Sequence, residues 1–345
     1  KLHNAARATA ASGRPFLLII MRRSCRIITF LSITARFSVA LKPTFSFTSA
    51  SGAPVSCYGL GGAARSTQPS SLPSLYFDEI QGQQDKAELE KIAPFYFYYN
   101  PHRYPQFMSG IRQVCSDETR EDIFVASGGT DRSIAGLDQR LSDCLDYCGG
   151  KYLDAFILEY VCPYELDDEI MYPGPELAAS LKHTQEWVNQ GTVRYVGIST
   201  HSHMVGKALA RSPEVDILML RYGMSHKDAA ERLSFPAARE NGKAVIAFTS
   251  TRWNRLQEGI QNNSQWNKDF APTSADCLSF VFGSKASPPV EAVLHSARDE
   301  DELLCSLSEF KMLSLDEENK WRDYGKIFEE LNEDSFDEYP EERSI

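Results

Sequence analysis

Residues 191–200 read GTVRYVGIST, and this stretch decides the fold class of the chain. The amphipathic run before it predicts a helix, which Gly191 ends. The β-rich run Val193–Ser199 follows and leads into a polar turn. Helix, glycine, strand and polar turn together form the repeating unit of parallel α/β folds. Because such folds bind ligands at the carboxyl ends of their strands, Ser199 and Thr200 are candidate site residues.

The same alternation repeats along most of the chain. Short apolar runs without polar alternation indicate strands that are covered on both faces. Eight strand candidates lie near residues 55, 95, 123, 154, 193, 217, 244 and 290. Their span of about 270 residues fits a (β/α)8 TIM barrel. A doubly wound open sheet is the alternative, but the glycine cluster at residues 59–62 does not run into a helix as a dinucleotide-binding fingerprint must.

Local signals predict where individual helices begin and end. Ser133 is a candidate N-cap for a helix that runs to Tyr147, and the glycines at 149 and 150 end it. The composition of Ser66–Ser74, rich in Ser, Pro and Gln, predicts a loop. A short helix is predicted at Lys86–Ile92.

The charge distribution divides the chain into three parts. The first acidic residue is Asp78, and the residues before it are basic and rich in Ser. Such composition is typical of organelle targeting segments. We therefore predict that residues 1–51 are a cleaved leader, which directs the protein to a plastid in preference to a mitochondrion. Residues 52–328 would form the barrel, and residues 329–345 an acidic, solvated tail.

Several classes of function are disfavoured by composition. The net charge of −11 argues against binding nucleic acid, which requires a basic surface. No run reaches the roughly 18–20 apolar residues of a membrane span. The eight cysteines form no CxxC pair and suggest a reducing compartment. His201, His203 and Cys162 have no metal-ligand spacing, so we predict a polar loop and no metal.

Five segments carry a resemblance to a known family. Residues 191–200 are similar to GKVRYIGIS, residues 120–127 to REDVFIATK, residues 137–158 to LERSLKRLGTDYIDLYLLH, residues 245–249 to VVAYS, and residues 295–298 to a phosphate-binding GAR segment. The chain therefore resembles the aldo-keto reductases from about Pro54 to Phe328. The resemblance implies a TIM barrel of aldo-keto reductase type that transfers hydride from NADPH to a carbonyl group.

The resemblance also implies positions for the catalytic groups. In the family a tyrosine gives the proton, a lysine lowers the pKa of that tyrosine, an aspartate holds the lysine and a histidine orients the carbonyl. The tyrosine falls at Tyr104 after a one-residue insertion, with Tyr98 and Tyr99 as rivals and His102 as a substitute acid. The lysine position falls at Gly128. The aspartate position falls at Tyr98.

The histidine position falls at Glu159. Family members that reduce carbon–carbon double bonds carry glutamate there. A carboxyl group that faces an apolar interior has a raised pKa and can donate a hydrogen bond to a carbonyl. The alternative is that Glu159 pairs with a nearby cation or fills the vacated site.

The cofactor positions match the family better. Ser199 and Thr200 match the pair that holds the nicotinamide amide, and Phe248 matches the aromatic residue that stacks on the nicotinamide ring. The family glutamine falls at Met219, and the next two phosphate contacts fall at Glu302 and Ser306, of which Glu302 is acidic. The predicted NADP(H) site consists of Ser199, Thr200, Phe248, Thr249, Ser296 and Arg298.

Two functions remain in competition on the sequence alone. The first is an NADP(H)-linked oxidoreductase that acts on a small carbonyl or enone substrate, with Tyr104 as the acid and Glu159 as the orienting group. The second is a catalytically inactive barrel that serves as a nucleotide-sensing or structural subunit of an organellar protein complex. The glycine at position 128 and the tyrosine at position 98 favour the second.

Overall fold

The computed structural model describes residues 47–62, 68–87, 91–99, 101–167, 171–260, 263–283 and 290–331. Within these ranges, parallel strands and helices alternate along the chain. The strands are β1 Val55–Gly61, β2 Ala93–Tyr98, β3 Phe124–Gly129, β4 Leu153–Leu158, β5 Leu166–Asp167, β6 Tyr172–Pro173, β7 Val193–Thr200, β8 Ile217–Arg221, β9 Ala244–Phe248 and β10 Ala292–His295.

Eight of these described strands close into one barrel in the order β1-β2-β3-β4-β7-β8-β9-β10, and β10 pairs with β1. All neighbouring strands are parallel. The short strands β5 and β6 pair only with each other. The prediction of a (β/α)8 barrel is confirmed, and the closure excludes an open sheet, which would have two edge strands.

Each barrel strand is followed by a helix, and these helices cover the outside of the barrel. They are α1 Leu72–Ala87, α2 Pro105–Val114, α3 Ile134–Tyr147, α4 Pro175–Gln190, α5 His203–Leu209, α6 Phe235–Glu240, α7 Ser274–Phe282, α8 Glu300–Glu309 and α9 Leu315–Leu331. The Ser133 hydroxyl caps α3 by accepting a hydrogen bond from the Gly136 N–H at 3.2 Å, as predicted. Gly191 ends α4 with φ at 75°, the left-handed conformation that glycine adopts without strain.

The first helix lies earlier in the chain than the sequence predicts. Helix α1 begins at Leu72, inside the segment that was expected to be a loop, and Lys91 and Ile92 are not helical. Leu72, Tyr76 and Ile80 recur at intervals of four residues and are fully buried. Burial of this apolar stripe against the barrel outweighs the loop-like composition.

Side chains alternate between the barrel interior and the layer beneath the helices. The interior holds a separate apolar cluster to which most barrel strands contribute alternate residues, among them Phe95 and Phe97 of β2, Phe124 and Ala126 of β3, Ala155 and Ile157 of β4, Ile217 and Met219 of β8, and Ile246 and Phe248 of β9. This alternation decides which residues at the strand ends face the barrel axis.

A segment ahead of β1 closes the amino-terminal end of the barrel. The Phe47 ring is 2% exposed, and its centroid lies 4.8 Å from that of Phe124. The Arg194 guanidinium donates to the carbonyl oxygens of Thr48 at 2.8 Å and Ser49 at 3.1 Å. Residues 47–51 thus pack with the barrel, and we place its boundary before Phe47 rather than after residue 51. The predicted leader otherwise lies outside the described residues.

The carboxyl-terminal helix α9 extends to Leu331, so it includes the first residues that we assigned to the tail. The rest of the predicted acidic tail lies outside the described residues. In the described part of the chain, no helix has the length and apolar character needed to cross a membrane.

Candidate active site

The carboxyl ends of the barrel strands bring several predicted residues to one mouth. Gly128, Glu159 and Ser199 continue the inward-facing series of β3, β4 and β7, and Phe248 ends the series of β9. This is the end at which barrels of this class carry their active sites.

Tyr104 lies at the mouth, after the 3-10 turn Pro101–Arg103. Its ring packs against Gly62, where a Cβ atom would lie 3.3 Å from the ring. The side chain is 5% exposed, and the buried hydroxyl group has no hydrogen-bond partner among the described residues. Burial raises the pKa of Tyr104 to about 12, although the positive charge of Arg103 opposes this shift. The phenol therefore keeps its proton at neutral pH.

The rival tyrosines face opposite sides of the barrel wall. The Tyr98 hydroxyl donates to the Cys144 carbonyl oxygen on α3 at 3.3 Å, so this side chain points away from the barrel axis. Tyr99 faces inward, and its ring lies 4.9 Å from that of Phe97. The position that we aligned with the family aspartate, Tyr98, is therefore outside the site. Tyr99 is the inward residue of the two.

Gly128 leaves no room for a side chain. A Cβ atom at this position would lie 1.8 Å from the Ile157 carbonyl oxygen of the adjacent strand β4. Real Cβ atoms do not approach backbone this closely, so the close pairing of β3 with β4 requires glycine. The lysine that lowers the tyrosine pKa in the family has no counterpart on this strand.

Glu159 is 4% exposed, and its Oε1 atom has no hydrogen-bond partner in the described part of the chain. Burial raises the pKa of Glu159 to about 8, against the opposing charges of Arg140, Arg132 and Arg103. The carboxyl group is therefore mostly protonated at pH 7 and can donate a hydrogen bond. Its negative charge, when present, raises the pKa of Tyr104, which shows that the two groups share one electrostatic environment.

An arc of aromatic rings crosses the mouth from β2 to β9. The Tyr99 ring centroid lies 6.2 Å from that of Tyr160, which lies 5.4 Å from the His201 ring, and His201 lies 5.5 Å from Phe248. Tyr160 has a positive φ of 54°, an uncommon backbone conformation for a bulky residue. The sequence analysis gave Tyr160 no role and treated His201 as part of a loop. The arc offers a wall of aromatic faces, tilted by 28–44° from one ring to the next, against which a ligand could pack.

Ser199 and Thr200 hold the loop that follows β4. The Ser199 hydroxyl accepts a hydrogen bond from the Tyr160 N–H at 3.0 Å. The Thr200 hydroxyl donates to the Val161 carbonyl oxygen at 2.7 Å and accepts from the Ser202 N–H at 3.0 Å. The Ser199 hydroxyl can therefore still donate a hydrogen bond to a ligand at the mouth. The Thr200 hydroxyl already both donates and accepts a hydrogen bond within the protein.

The remaining nicotinamide positions lie on β8 and at the end of β9. Phe248 is buried with its ring toward the mouth, and Thr249 follows it with φ at 59°. Met219 is fully buried among the interior apolar residues, and its thioether side chain has no N–H group to donate. A stacking surface is therefore present, without the amide that the family glutamine supplies.

The predicted phosphate-binding segment follows β10. The Ser296 hydroxyl donates to the Gly62 carbonyl oxygen at 3.4 Å. The Arg298 side chain is 57% exposed, and its Nε atom donates to Glu302 Oε2 at 2.8 Å. The Arg298 N–H donates to the same oxygen at 2.9 Å. Burial opposes ionisation of Glu302, but the hydrogen bonds from Arg298 and the nearby His295 ring, whose Nε2 atom lies 3.6 Å from Oε1, hold its pKa well below the usual range. A phosphate group at Arg298 would meet this carboxylate.

The other histidines serve separate contacts. His102 is exposed, with Nε2 3.6 Å from Asp143 Oδ2 on α3. His203 Nδ1 lies 3.0 Å from the Ser234 hydroxyl oxygen, away from the aromatic arc that contains His201. Among the described residues, no three His, Cys, Asp or Glu side chains are grouped to hold a metal ion.

Three arginines that the sequence analysis did not single out lie close enough to Glu159 for their charges to act on it. Arg103, Arg132 and Arg140 all lower the pKa of Glu159. They come from the turn after β2, the loop after β3 and helix α3. No local pattern marks them, because each reads as an ordinary solvated residue until the barrel closes.

Comparisons with known proteins agree with this architecture. A model of the aldo/keto reductase family matches residues 95–318. An aldo-keto reductase from Bacillus halodurans, in its holo form, superposes with a TM-score of 0.57 at 15% identity, over 82% of this chain and 94% of that one. An aldo/keto reductase from Klebsiella pneumoniae in complex with NADP and acetate gives a TM-score of 0.58 at 15% identity, over 80% and 94%. A glycerol dehydrogenase from Gluconobacter oxydans gives 0.55 at 13% identity, over 83% and 95%. The comparison with curated proteins found no match.

Proposed function

The chain belongs to the aldo/keto reductase family, and we propose that it is an NADP(H)-linked oxidoreductase that acts on a small carbonyl or enone compound. The observation that carries this proposal is the pair of unpartnered polar atoms at the barrel mouth. The Tyr104 hydroxyl and Glu159 Oε1 are buried without a hydrogen-bond partner among the described residues. Since buried polar groups are normally paired, such a pair favours a ligand with an oxygen atom at this place.

The two groups differ in how readily they release a proton. The pKa of Glu159 is raised to about 8 and that of Tyr104 to about 12. A general acid works best when its pKa is near the operating pH. We therefore assign the proton transfer to Glu159 and the hydrogen bond that orients the carbonyl oxygen to Tyr104. This reverses the roles that the family resemblance implies.

The proposal of a nicotinamide nucleotide is supported by residues at the mouth and after β10. Phe248 would stack on the ring and Ser199 would bond the amide, with Thr200 and Thr249 beside them. Ser296 and Arg298 would hold the 2′-phosphate, for which a planar guanidinium suits the oxyanion. NADPH would supply the hydride for the carbonyl carbon, while the proton passes from Glu159 to the carbonyl oxygen. Relatives that bind NADP or NADPH share this fold.

The test is a titration with NADPH, followed through tryptophan and nucleotide fluorescence. We expect saturable binding that Arg298→Ala weakens and that the exposed control Arg239→Ala leaves unchanged. Turnover is then measured with aldehydes, quinones and enones. Tyr104→Phe should lower kcat, and Glu159→Gln should abolish turnover while NADPH binding remains. Absence of saturable NADPH binding by the unaltered protein would refute the proposal.

A second function is favoured by the contact between Gly128 and Ile157. With glycine at position 128, this position cannot supply the ammonium group that activates the tyrosine in the family. The alternative is a catalytically inactive barrel that acts as a nucleotide-sensing or structural subunit of an organellar complex. NADPH binding without turnover of any tested substrate, together with a co-purifying partner protein, would support it.

We also propose a plastid location in preference to a mitochondrion. The support is the acid-free composition of the chain before Asp78, which includes many Arg and Ser residues. The mature amino terminus, determined by mass spectrometry on protein from the organelle, tests it. A terminus upstream of residue 20 would contradict cleavage of a leader.

A further inference from the structure

The peptide group between Glu159 and Tyr160, at the end of β4, is held at both of its polar atoms. The Glu159 carbonyl oxygen accepts a hydrogen bond from Arg132 Nη2 at 2.8 Å, and the Tyr160 N–H donates to the Ser199 hydroxyl oxygen at 3.0 Å. The C=O and N–H of one peptide group share a plane. The orientation of this peptide is therefore fixed from two sides, by the loop after β3 and by β7.

Tyr160 has an uncommon backbone conformation next to this peptide. Its φ angle is 54°, which bulky residues rarely adopt. Such a conformation persists only where the surrounding contacts hold it, and it is found most often at functional sites. In a regular strand Tyr160 would point away from the side to which Glu159 points. Its ring instead lies 6.2 Å from the inward-facing Tyr99 ring, so that two consecutive side chains reach the mouth.

A largely buried ion pair orients the Arg132 side chain. Its Nε atom donates to Glu165 Oε2 at 2.7 Å, and the two side chains are only 10% and 13% exposed. Glu165 Oε1 in turn accepts from the Cys162 N–H at 2.8 Å. A charge-assisted hydrogen bond of this kind is stronger than one between neutral groups. The guanidinium group is thereby fixed to the loop after β4.

The backbone around Arg132 is fixed as well. The Ser180 hydroxyl on α4 donates to the Arg132 carbonyl oxygen at 2.9 Å. The Gly129 carbonyl oxygen accepts from the Glu159 N–H at 2.9 Å and from Arg132 Nη1 at 3.4 Å. The N–H and the C=O of Glu159 are thus both bonded to residues of the segment 129–132. The place of the Glu159 carboxyl group at the mouth depends on this segment.

We propose that Arg132 is a positioning residue for the reaction at this mouth. It acts through the peptide that follows Glu159, and it keeps the Glu159 carboxyl group and the Tyr160 ring within reach of the same bound substrate. This inference rests on the proposed function, because Glu159 is the proton donor there. Displacement of a catalytic group by about 1 Å can lower a rate by about a hundredfold. Loss of the Arg132 contacts should therefore affect turnover more than the binding of NADPH.

The experiment uses the full chain with NADPH and whichever of 4-nitrobenzaldehyde, menadione and 2-cyclohexen-1-one it reduces fastest. Arg132→Gln should lower kcat by about tenfold to a hundredfold and leave the Kd for NADPH, measured by fluorescence titration, unchanged. Arg132→Lys keeps the charge but cannot make the paired contacts of a guanidinium group, so its kcat should lie between those of the other two proteins. Hydrogen exchange adds a direct readout, because the Tyr160 N–H should exchange faster in Arg132→Gln.

The pH profile of kcat separates positioning from a merely structural role. The charge of Arg132 lowers the pKa of Glu159, so the pH above which kcat falls should move upward in Arg132→Gln and stay in place in Arg132→Lys. A variant that only loosens the fold does not move this pH. The other ionisable groups that interact electrostatically with the Glu159 carboxyl group are the same in all these proteins, and they are Tyr99, Arg103, Tyr104, Arg140, Cys144 and Tyr160.

The matched control is Arg322→Gln on α9. Arg322 also donates to two glutamates, Glu231 and Glu318, and its side chain is 28% exposed. It packs among the outer helices, with its guanidinium carbon 5.6 Å from the centroid of the Phe280 ring on α7. The variant should lower the free energy of unfolding and leave kcat and its pH profile unchanged.

Glu165→Gln tests the same connection if Arg132→Gln does not fold, and its kcat should fall several-fold because the guanidinium group loses the carboxylate that orients it. A kcat and pH profile of Arg132→Gln equal to those of the unaltered protein, or a loss of kcat no greater than that of Arg322→Gln, overturns this inference and leaves the proposed function intact. Reduction of none of the three substrates by the unaltered protein overturns both.

Discussion

Gly128 and Ile157 approach so closely across β3 and β4 that a Cβ atom on the glycine would lie 1.8 Å from the Ile157 carbonyl oxygen. The pairing of these strands is thus incompatible with a lysine at this position, where the family resemblance implies one. A side chain at position 128 would require movement of the strand.

Gly128→Lys should therefore destabilise the fold instead of restoring an active tetrad. Gly128→Ala already forces the strands apart, and overpacking of this kind costs about 1–3 kcal/mol or more. The measurement is the free energy of unfolding by chemical denaturation. Gly82→Ala on α1 is the control, because a Cβ atom there meets no atom within 4 Å. A Gly128→Ala variant as stable as Gly82→Ala would contradict the predicted clash.

Glu159 should make stability depend on pH. Its pKa is raised from 4.5 to about 8, so in this range the folded chain holds a proton that the unfolded chain has released. Its contribution to stability is fully present below pH 4.5 and is lost as the pH rises through about 8. We expect the free energy of unfolding to fall by a few kcal/mol over this range. The fall is measured by urea denaturation at a series of pH values.

Glu159→Gln provides the control for that titration, because glutamine cannot ionise. The variant should show a shallower decline in stability across the same pH range, since the other titrating groups are unchanged. Parallel curves for the two proteins would show that Glu159 titrates normally. Proton transfer by Glu159 would then lose its support.

Glu302 should limit the affinity for NADP(H). Its Oε2 atom accepts from both Arg298 Nε and the Arg298 N–H. A bound 2′-phosphate must share Arg298 with this carboxylate and is repelled by it. Glu302→Gln removes the charge and should tighten NADPH binding by on the order of 1 kcal/mol at this partly exposed site. Fluorescence titration measures the change, and NADH serves as the control ligand because it has no 2′-phosphate.

Phe47 should contribute as much to the free energy of unfolding as a residue in the core of the barrel does. It is 2% exposed and packs on Phe124 and Tyr195. Phe47→Ala should cost about 3–5 kcal/mol of unfolding free energy. Phe270→Ala, at a side chain that is 58% exposed, should change stability by no more than about 0.5 kcal/mol. Equal effects would mean that residues 47–51 do not hold the barrel closed.

The sequence by itself determined the eight barrel strands and their order along the chain. Apolar runs, glycine stops and helix caps are local signals, and they located all eight barrel strands and the Ser133 cap. The family resemblance placed Glu159, Ser199 and Phe248 at strand ends. Local composition did not predict where α1 begins, because this helix is stabilised by the packing of Leu72, Tyr76 and Ile80 against the barrel.

The tertiary structure alone decided which way the strand-end residues face and what they meet. Tyr99 and not Tyr98 points to the barrel axis, because side chains alternate along a strand and the inward register is fixed by closure of the barrel. Gly128 is required by contact with a strand distant in sequence. The approach of Tyr104 to Glu159 depends on the loops after β2 and β4, which meet only when the eight strands close. Such long-range packing leaves no trace in the spacing of neighbouring residues.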